Sequence, residues 1–247
     1  MPGPLTGVRV LDVTTVVLGP WATQALGDMG ADVIKVEPPE GDTTRRLGPA
    51  RHPGMASFFL ACNRNKRSLV LDLKQAAGRA ALLRLASTAD VLLHNFRPEP
   101  AARLRLDYDT FRATNPRLVY CATYGFRARG PYGEKPAYDD VIQAASGLSA
   151  LQASIVGEPR YMPTIVADKT SSLTVLSSVL AALFHRERTG EGQSVEIPMM
   201  ESVVAYVMVE HLYGETFIPP LLVSDWGHPE SEGYSDSEQD QSNRPVK

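Results

Sequence analysis

Residues 7–37 read GVRVLDVTTVVLGPWATQALGDMGADVIKVE, and the order of residue types spells strand, loop, helix, strand. Residues 8–13 are mostly apolar and rich in valine, as a largely buried strand requires. Pro20 suits the first turn of a helix, where its missing N–H goes unused, and Gly30 suits the helix end. Residues 32–37 supply a second strand, which completes a βαβ unit. Glu37 stands where a dinucleotide fold keeps its ribose-binding acid, but Val16-Val17-Leu18-Gly19-Pro20 replaces the G-x-G-x-x-G turn. Pro20 also removes an N–H that a pyrophosphate would use. No nicotinamide or flavin site is expected.

The same alternation continues outward. A strand is expected over 69–73 with Lys74 at its end, then a helix over 75–88 and a strand over 90–94. Asn95-Phe96-Arg97-Pro98 closes that strand, and Arg103 lies just beyond the turn. A short helix over 108–115, a strand over 118–123, a loop over 125–136 and a helix over 138–147 follow, the last with Asp139 and Asp140 in its first turn. Alternation of this kind predicts an α/β fold, a parallel sheet with helices on both faces. Asp168 follows the apolar run Thr164-Ile165-Val166-Ala167 and precedes a helix read from Leu173, Leu176, Leu180, Leu183 and Phe184. The spacing predicts a strand-to-helix junction at Asp168, where free N–H groups and the helix dipole favour a carboxylate. Helix capping and chemistry are both open to an aspartate there. After a turn at 189–193 come a strand, Ser194–Pro198, and a helix over 199–213 that is apolar on several faces and predicts cover from a partner.

Composition narrows the class. With 43% hydrophobic residues in 247, the chain can bury a sizeable core. No apolar run approaches the roughly 20 residues of a membrane span, and Met-Pro-Gly-Pro-Leu is not a signal peptide, so a cytoplasmic protein without membrane or nucleic-acid partners is expected. Cys62 and Cys121 have no C-x-x-C partner, so buried thiols rather than a metal site are expected. Seven basic residues between Arg45 and Lys74 face only Asp72, a candidate anion site. The net charge of -3 is set by residues 219–247, whose six acidic and two basic residues predict a disordered tail.

Several ordered motifs together resemble the class III CoA-transferases, the CaiB/BaiF and formyl-CoA transferase family. They are LTGVRVLDVTTVVLGPWATQALGDMGADVIKVEPPEGD at 5–42, NRNKRSLVLDLK at 63–74, DVLLHNFRP at 90–98, NPRLVY at 115–120, YDDVIQAASG at 138–147, VADKTSSL at 166–173 and RTGEGQSVEIPMMES at 188–202. The resemblance implies a Rossmann-like large domain over 1–218, a homodimer, coenzyme A or acyl-CoA with a small carboxylic acid as substrates, and no permanently bound cofactor or metal. It places the catalytic aspartate at Asp168, with Tyr138 and Asp139 beside it. CoA contacts fall on Thr15, Val17, Leu18, Leu71, Lys74, Asn95, Phe96 and Arg103. Val17 departs from the Gln of formyl-CoA-type members, which implies a different acid. α-Methylacyl-CoA racemases share the fold but carry His where Tyr138 stands; tyrosine, with a reference pKa of about 10, is a poor neutral-pH base. Family members continue past this length, so a C-terminally truncated chain, binding CoA without turnover, is the non-enzyme expectation.

Overall fold

A computed structural model describes residues 2–212 and 216–219. Six strands form one sheet: β1 Arg9–Val13, β2 Asp32–Glu37, β3 Lys66–Val70, β4 Val91–His94, β5 Val119–Tyr124 and β6 Ser194–Pro198. Their spatial order is β3-β2-β1-β4-β5-β6, and every pairing is parallel. This is the doubly wound order, in which ligands bind where the chain reverses direction across the sheet, at the carboxyl ends of β1 and β4. The expected α/β sheet with helices on both faces is what the chain forms.

The central strands β1, β4 and β5 are buried almost throughout, while the edges β3 and β6 are partly exposed and carry charge. Alternate side chains go to opposite faces. Leu11, Ile34, Leu92 and Tyr120 pack on one side with Leu82 of α3 (Ala76–Ala86) and Phe111 of α5 (Tyr108–Thr114). Val10, Val33, Leu93 and Val119 pack on the other with Leu26 of α1 (Leu18–Asp28) and Val175, Val179 and Leu183 of α9 (Val166–Thr189). A third cluster joins Leu18, Ile142 of α6 (Asp139–Ala145), Ala167, and Met199, Val203 and Val207 of α10 (Met199–His211). That cluster sets the start of α9 against the start of α1. The short helices α2 (Ser57–Asn63), α4 (Pro98–Leu104), α7 (Leu148–Leu151) and α8 (Ala153–Val156), with a 3-10 turn over Thr43–Arg46, complete the described elements.

Several sequence expectations are corrected. No strand runs into Asp168 over 164–167: α9 begins at Val166, so Asp168 lies inside its first turn, and Ile165 is the N-cap residue. The run was too short to earn a place in a sheet whose edge is already taken by β6. The strand expected over 69–73 runs instead from Lys66 to Val70, pairing with β2, so Leu71 and Lys74 lie beyond its carboxyl end. Arg103, just beyond the Asn95–Pro98 turn, lies in the last turn of α4. The cations between residues 45 and 74 are largely spent on neighbouring acids: Arg45 with Glu37, Arg64 with Asp28, Lys66 with Asp12 and Arg67 with Asp32. Both cysteines are buried, and no described helix is long and apolar enough to cross a membrane. The expected disordered tail falls mostly outside the described residues.

Candidate active site

The β1–α1 loop, residues 14–17, and the turn after β4 meet at the reversal point. Thr15 N–H donates to Asn95 Oδ1 at 3.0 Å, and Asn95 Nδ2 donates back to the Thr15 carbonyl at 2.8 Å. This reciprocal pair staples the two loops. Beneath it, Asp12 Oδ1 accepts the Thr14 N–H at 3.0 Å, and the Lys35 ammonium donates to the Thr14 carbonyl at 2.9 Å while pairing with Asp42 at 2.9 Å. Val16 takes a left-handed conformation with φ of 70°, strained for a β-branched residue. Gly19 is needed where α1 starts, because a Cβ there would lie 2.3 Å from the Thr14 side chain.

On the far side of β4, burial pushes the His94 imidazole down to about 4, so it is neutral at pH 7. Its Nδ1 accepts the Phe96 N–H at 3.2 Å, which leaves Nε2 to donate to the Tyr120 hydroxyl at 2.6 Å; that hydroxyl in turn donates to the Leu106 carbonyl. The chain of bonds fixes the Asn95–Phe96 turn from below.

Asp168 projects from the first turn of α9 toward the start of α1. Its own N–H donates to Asp139 Oδ1 at 2.9 Å, so Asp139 takes the capping role that the sequence left open for Asp168. Asp139 is buried and is held by Gln143 Nε2 at 2.5 Å, and Gln143 also accepts the Met162 N–H at 2.8 Å. The Ser172 hydroxyl contacts both the Leu18 carbonyl and the Asp168 carbonyl, at 2.6 and 2.7 Å, locking α9 to the start of α1. Burial, and then the charge of Asp139, push the Asp168 carboxyl up from 3.8 to about 7, although a backbone hydrogen bond from Leu18 opposes the rise. An acid so placed is both ionisable and basic near neutrality, as a nucleophile or proton acceptor requires.

Two cavities meet at Asp168. An inner cleft of about 330 Å³ includes Thr15, Leu18, Asn95, Tyr138 and Asp168 in its wall, with Arg97 and Lys135 as cations. An outer pocket of about 440 Å³ lies on the other side, between Val17, Tyr138, Asp139 and the 161–165 segment. An apolar slot of about 140 Å³ shares Thr15 with the inner cleft and is walled by Leu71, Lys74 and Phe96. The structure therefore brings together all the sequence-derived site residues except Arg103, whose guanidinium stands outside these cavities, 3.4 Å from Glu99. Val17 is buried behind the outer pocket, and Tyr138, 71% exposed, stands between the two cavities at Asp168. Sequence reasoning missed Arg97, Lys135 and Tyr124. Arg97 sits inside DVLLHNFRP and was legible as a cation one residue past Phe96; Lys135 gave no signal, since only folding of the 125–136 loop turns it inward, and Tyr124, the last residue of β5, reads as an ordinary strand residue.

Comparison with known proteins gives a consistent picture. The profile of CoA-transferase family III matches residues 5–222. The chain is 39% identical over 239 residues to a succinate–glutarate CoA-transferase of Agrobacterium fabrum, covering 94% of this chain and 60% of that protein. It is 41% identical over 204 residues to a probable fatty acyl-CoA transferase of Mycobacterium tuberculosis, covering 81% of this chain and 52% of that one. A crystal structure of a CaiB/BaiF family protein from Brucella suis superposes with a TM-score of 0.82 at 36% identity, over 90% of this chain and 61% of that chain. The chain thus spans about half to three-fifths of the length of these relatives.

Proposed function

The chain belongs to CoA-transferase family III, and from that premise we propose that it moves CoA from an acyl-CoA donor to a carboxylic acid through covalent intermediates on Asp168. The observation that carries this reading is the Asp168 carboxyl itself, raised to about 7 and set where two cavities meet. In the first step an Asp168 oxygen attacks the thioester carbonyl, the C–S bond breaks, CoA leaves as thiolate, and a mixed anhydride forms. The thiolate then attacks the aspartyl carbonyl, releasing the donor acid and leaving an aspartyl-CoA thioester. The acceptor carboxylate attacks that thioester to give a second anhydride, and the thiolate takes the acceptor acyl group, restoring Asp168. No proton is consumed over the cycle. Water must be kept from the anhydrides, and Tyr138, Val17 and Leu18 are the side chains that stand closest to that task.

CoA is assigned to the inner cleft and the apolar slot, joined at Thr15. Phe96 and Leu71 supply apolar packing, Asn95 and Leu18 line the path to Asp168, and Lys74 takes a phosphate at the slot; Arg103, paired with Glu99 outside the cavities, is left for a phosphate that extends beyond them. Asp139 acts through Asp168 as a positioning residue. Neither cavity beside Asp168 has a histidine among its described lining residues, which favours transfer over racemisation. The proposal includes a cytoplasmic homodimer, a large-domain region over 1–218 and a separate tail over 219–247. Val209, 82% exposed, and Tyr206 on α10 support a subunit contact.

The test is to mix the protein with acyl-CoA, quench with hydroxylamine and map the hydroxamate by peptide mass spectrometry. A label on Asp168 that is absent from Asp168→Ala is expected. Labelling at another residue, or none at saturating acyl-CoA, refutes the nucleophile.

A further inference from the structure

The outer pocket differs in chemistry from the cleft assigned to CoA. Its wall is built from Val17, Leu47, Phe58, Met162 and Ile165, with Tyr138 at the boundary. Its ionisable lining groups, apart from tyrosines, are all acids: Asp139, Asp140 and Asp168. Among the described residues no lysine, arginine or histidine lines it, whereas the inner cleft on the other side of Asp168 has both Arg97 and Lys135. Lys169 reaches the neighbourhood, donating to Thr164 Oγ1 at 2.6 Å, but is not a lining side chain.

Resting on the proposed role of Asp168, we infer that the acyl group carried on this aspartate lies in the outer pocket and is an uncharged apolar chain, so that donor and acceptor are monocarboxylates rather than dicarboxylates. With CoA on the cationic side of Asp168, the acyl carbon's substituent points to the opposite, acidic side. A distal carboxylate there would face Asp139 and Asp140 with no cation among the described lining residues, so like charges repel it and no ion pair offsets its partial desolvation. An alkyl chain would meet Val17, Phe58 and Met162, gaining roughly fourfold in binding for each methylene fully removed from water. Gln143, itself held by Asp139, accepts the Met162 N–H, and Gln152 Nε2 meets the Met162 sulfur at 3.0 Å, so the wall is preorganised. The relative named for succinate and glutarate shares 39% identity, and the lining of this pocket, not that identity, is what sets the acid class.

The experiment compares hexanoyl-CoA with adipyl-CoA, equal in carbon number and differing by one terminal carboxylate. The protein is incubated with each and quenched with hydroxylamine, and the rate of Asp168 labelling is measured. Hexanoyl-CoA is expected to label about a hundredfold faster. Leu47→Arg and Met162→Arg, each placing a cation in the wall, are expected to narrow the gap by raising the adipyl rate at least tenfold. Equal or faster adipyl labelling of the unmodified protein overturns the inference while leaving the nucleophile intact, as does adipyl labelling that collapses in Lys169→Ala. If neither thioester labels Asp168, the nucleophile reading fails and the acid class is decided by binding. Saturation-transfer NMR with hexanoate and adipate then reads the pocket directly. Hexanoate binding that disappears in Val17→Trp, with adipate silent, supports the apolar pocket; adipate binding as well as hexanoate, or hexanoate indifferent to Val17→Trp or silent, overturns it.

Discussion

Replacing Asp168 by Asn should stabilise the protein at neutral and alkaline pH and do almost nothing in acid. The carboxyl is raised from 3.8 to about 7 in the folded chain, chiefly by burial and then by Asp139. Folding therefore holds a proton on Asp168 that the unfolded chain releases. The sign follows from linkage: the folded state is unpenalised below about pH 4, loses stability as pH rises toward 7, and bears the full penalty above that. At about 1.4 kcal/mol per pH unit the interval is worth about 4 kcal/mol. Partial exposure of Asp168 to the two cavities screens some of it, so a gain of about 2–4 kcal/mol at pH 8 is expected. Asn keeps the shape and can still accept the Leu18 hydrogen bond.

Urea unfolding followed by tryptophan fluorescence, run on both proteins from pH 3.5 to 8.5, gives the difference directly. The comparison must be between the two proteins, because His94 works the other way. Its depressed value of about 4 makes the folded chain lose stability as pH falls from 6.5 toward 4, which partly hides the Asp168 effect in the unmodified protein alone. A stability difference that is flat with pH, or that grows toward acid, refutes the account of Asp168 as a buried, repelled carboxylate.

Asp139→Asn removes the anion that helps to raise Asp168, so the acidic limb of Asp168 labelling should move below pH 7; its midpoint in a pH–rate profile is the readout. His94→Phe should flatten the loss of stability between pH 6.5 and 4, an effect of about 3 kcal/mol at most by the same conversion, measured by urea unfolding. Lys35→Met leaves Asp42 buried without its partner and should cost about 3–5 kcal/mol, while Lys35→Met with Asp42→Leu recovers most of it, as denaturation midpoints will report.

The sheet was legible because its central strands are buried on both faces and so announce themselves as unbroken apolar runs; β6 matched to the residue, bounded by a Gly-rich turn and Pro198. Short, half-exposed pieces such as α2 and α4 were not, since seven residues with mixed polarity carry no period. Asp168 was legible as a candidate but for a partly wrong local reason. Its neighbours Thr164 to Ala167 look like a strand, and only the packing of Ala167 against Leu18 and Ile142 turns them into the entry of α9. The capping role of Asp139, 29 residues earlier, has no sequence signature at all.

The charged layer under the β1–α1 loop was hidden for the same reason, and it explains why a strained loop can persist there. Asp12, Lys35, Glu37 and Asp42 are buried together with the side chain of Lys66, an arrangement that sequence statistics assign to surfaces. Burial drives the Asp12 carboxyl upward, but the ammonium groups of Lys66 and Lys35 outweigh it and hold the group ionised. Glu37 is held down to about 2 because Arg45, the Asp42 N–H and Ser68 together overcome its burial. Each of these charges is tied to the loop or to its support: Lys35 to the Thr14 carbonyl, Asp12 to Thr14 and Thr23, Lys66 to the Pro20 carbonyl. Apolar replacements could match the stability of such pairs. What they could not supply is direction: Thr14 and Pro20 are fixed by bonds from below, so the chain between them has few ways to run, and Val16 takes up the residual strain. The Leu18 hydrogen bond then reaches Asp168 from a backbone that cannot relax away when the carboxylate changes charge.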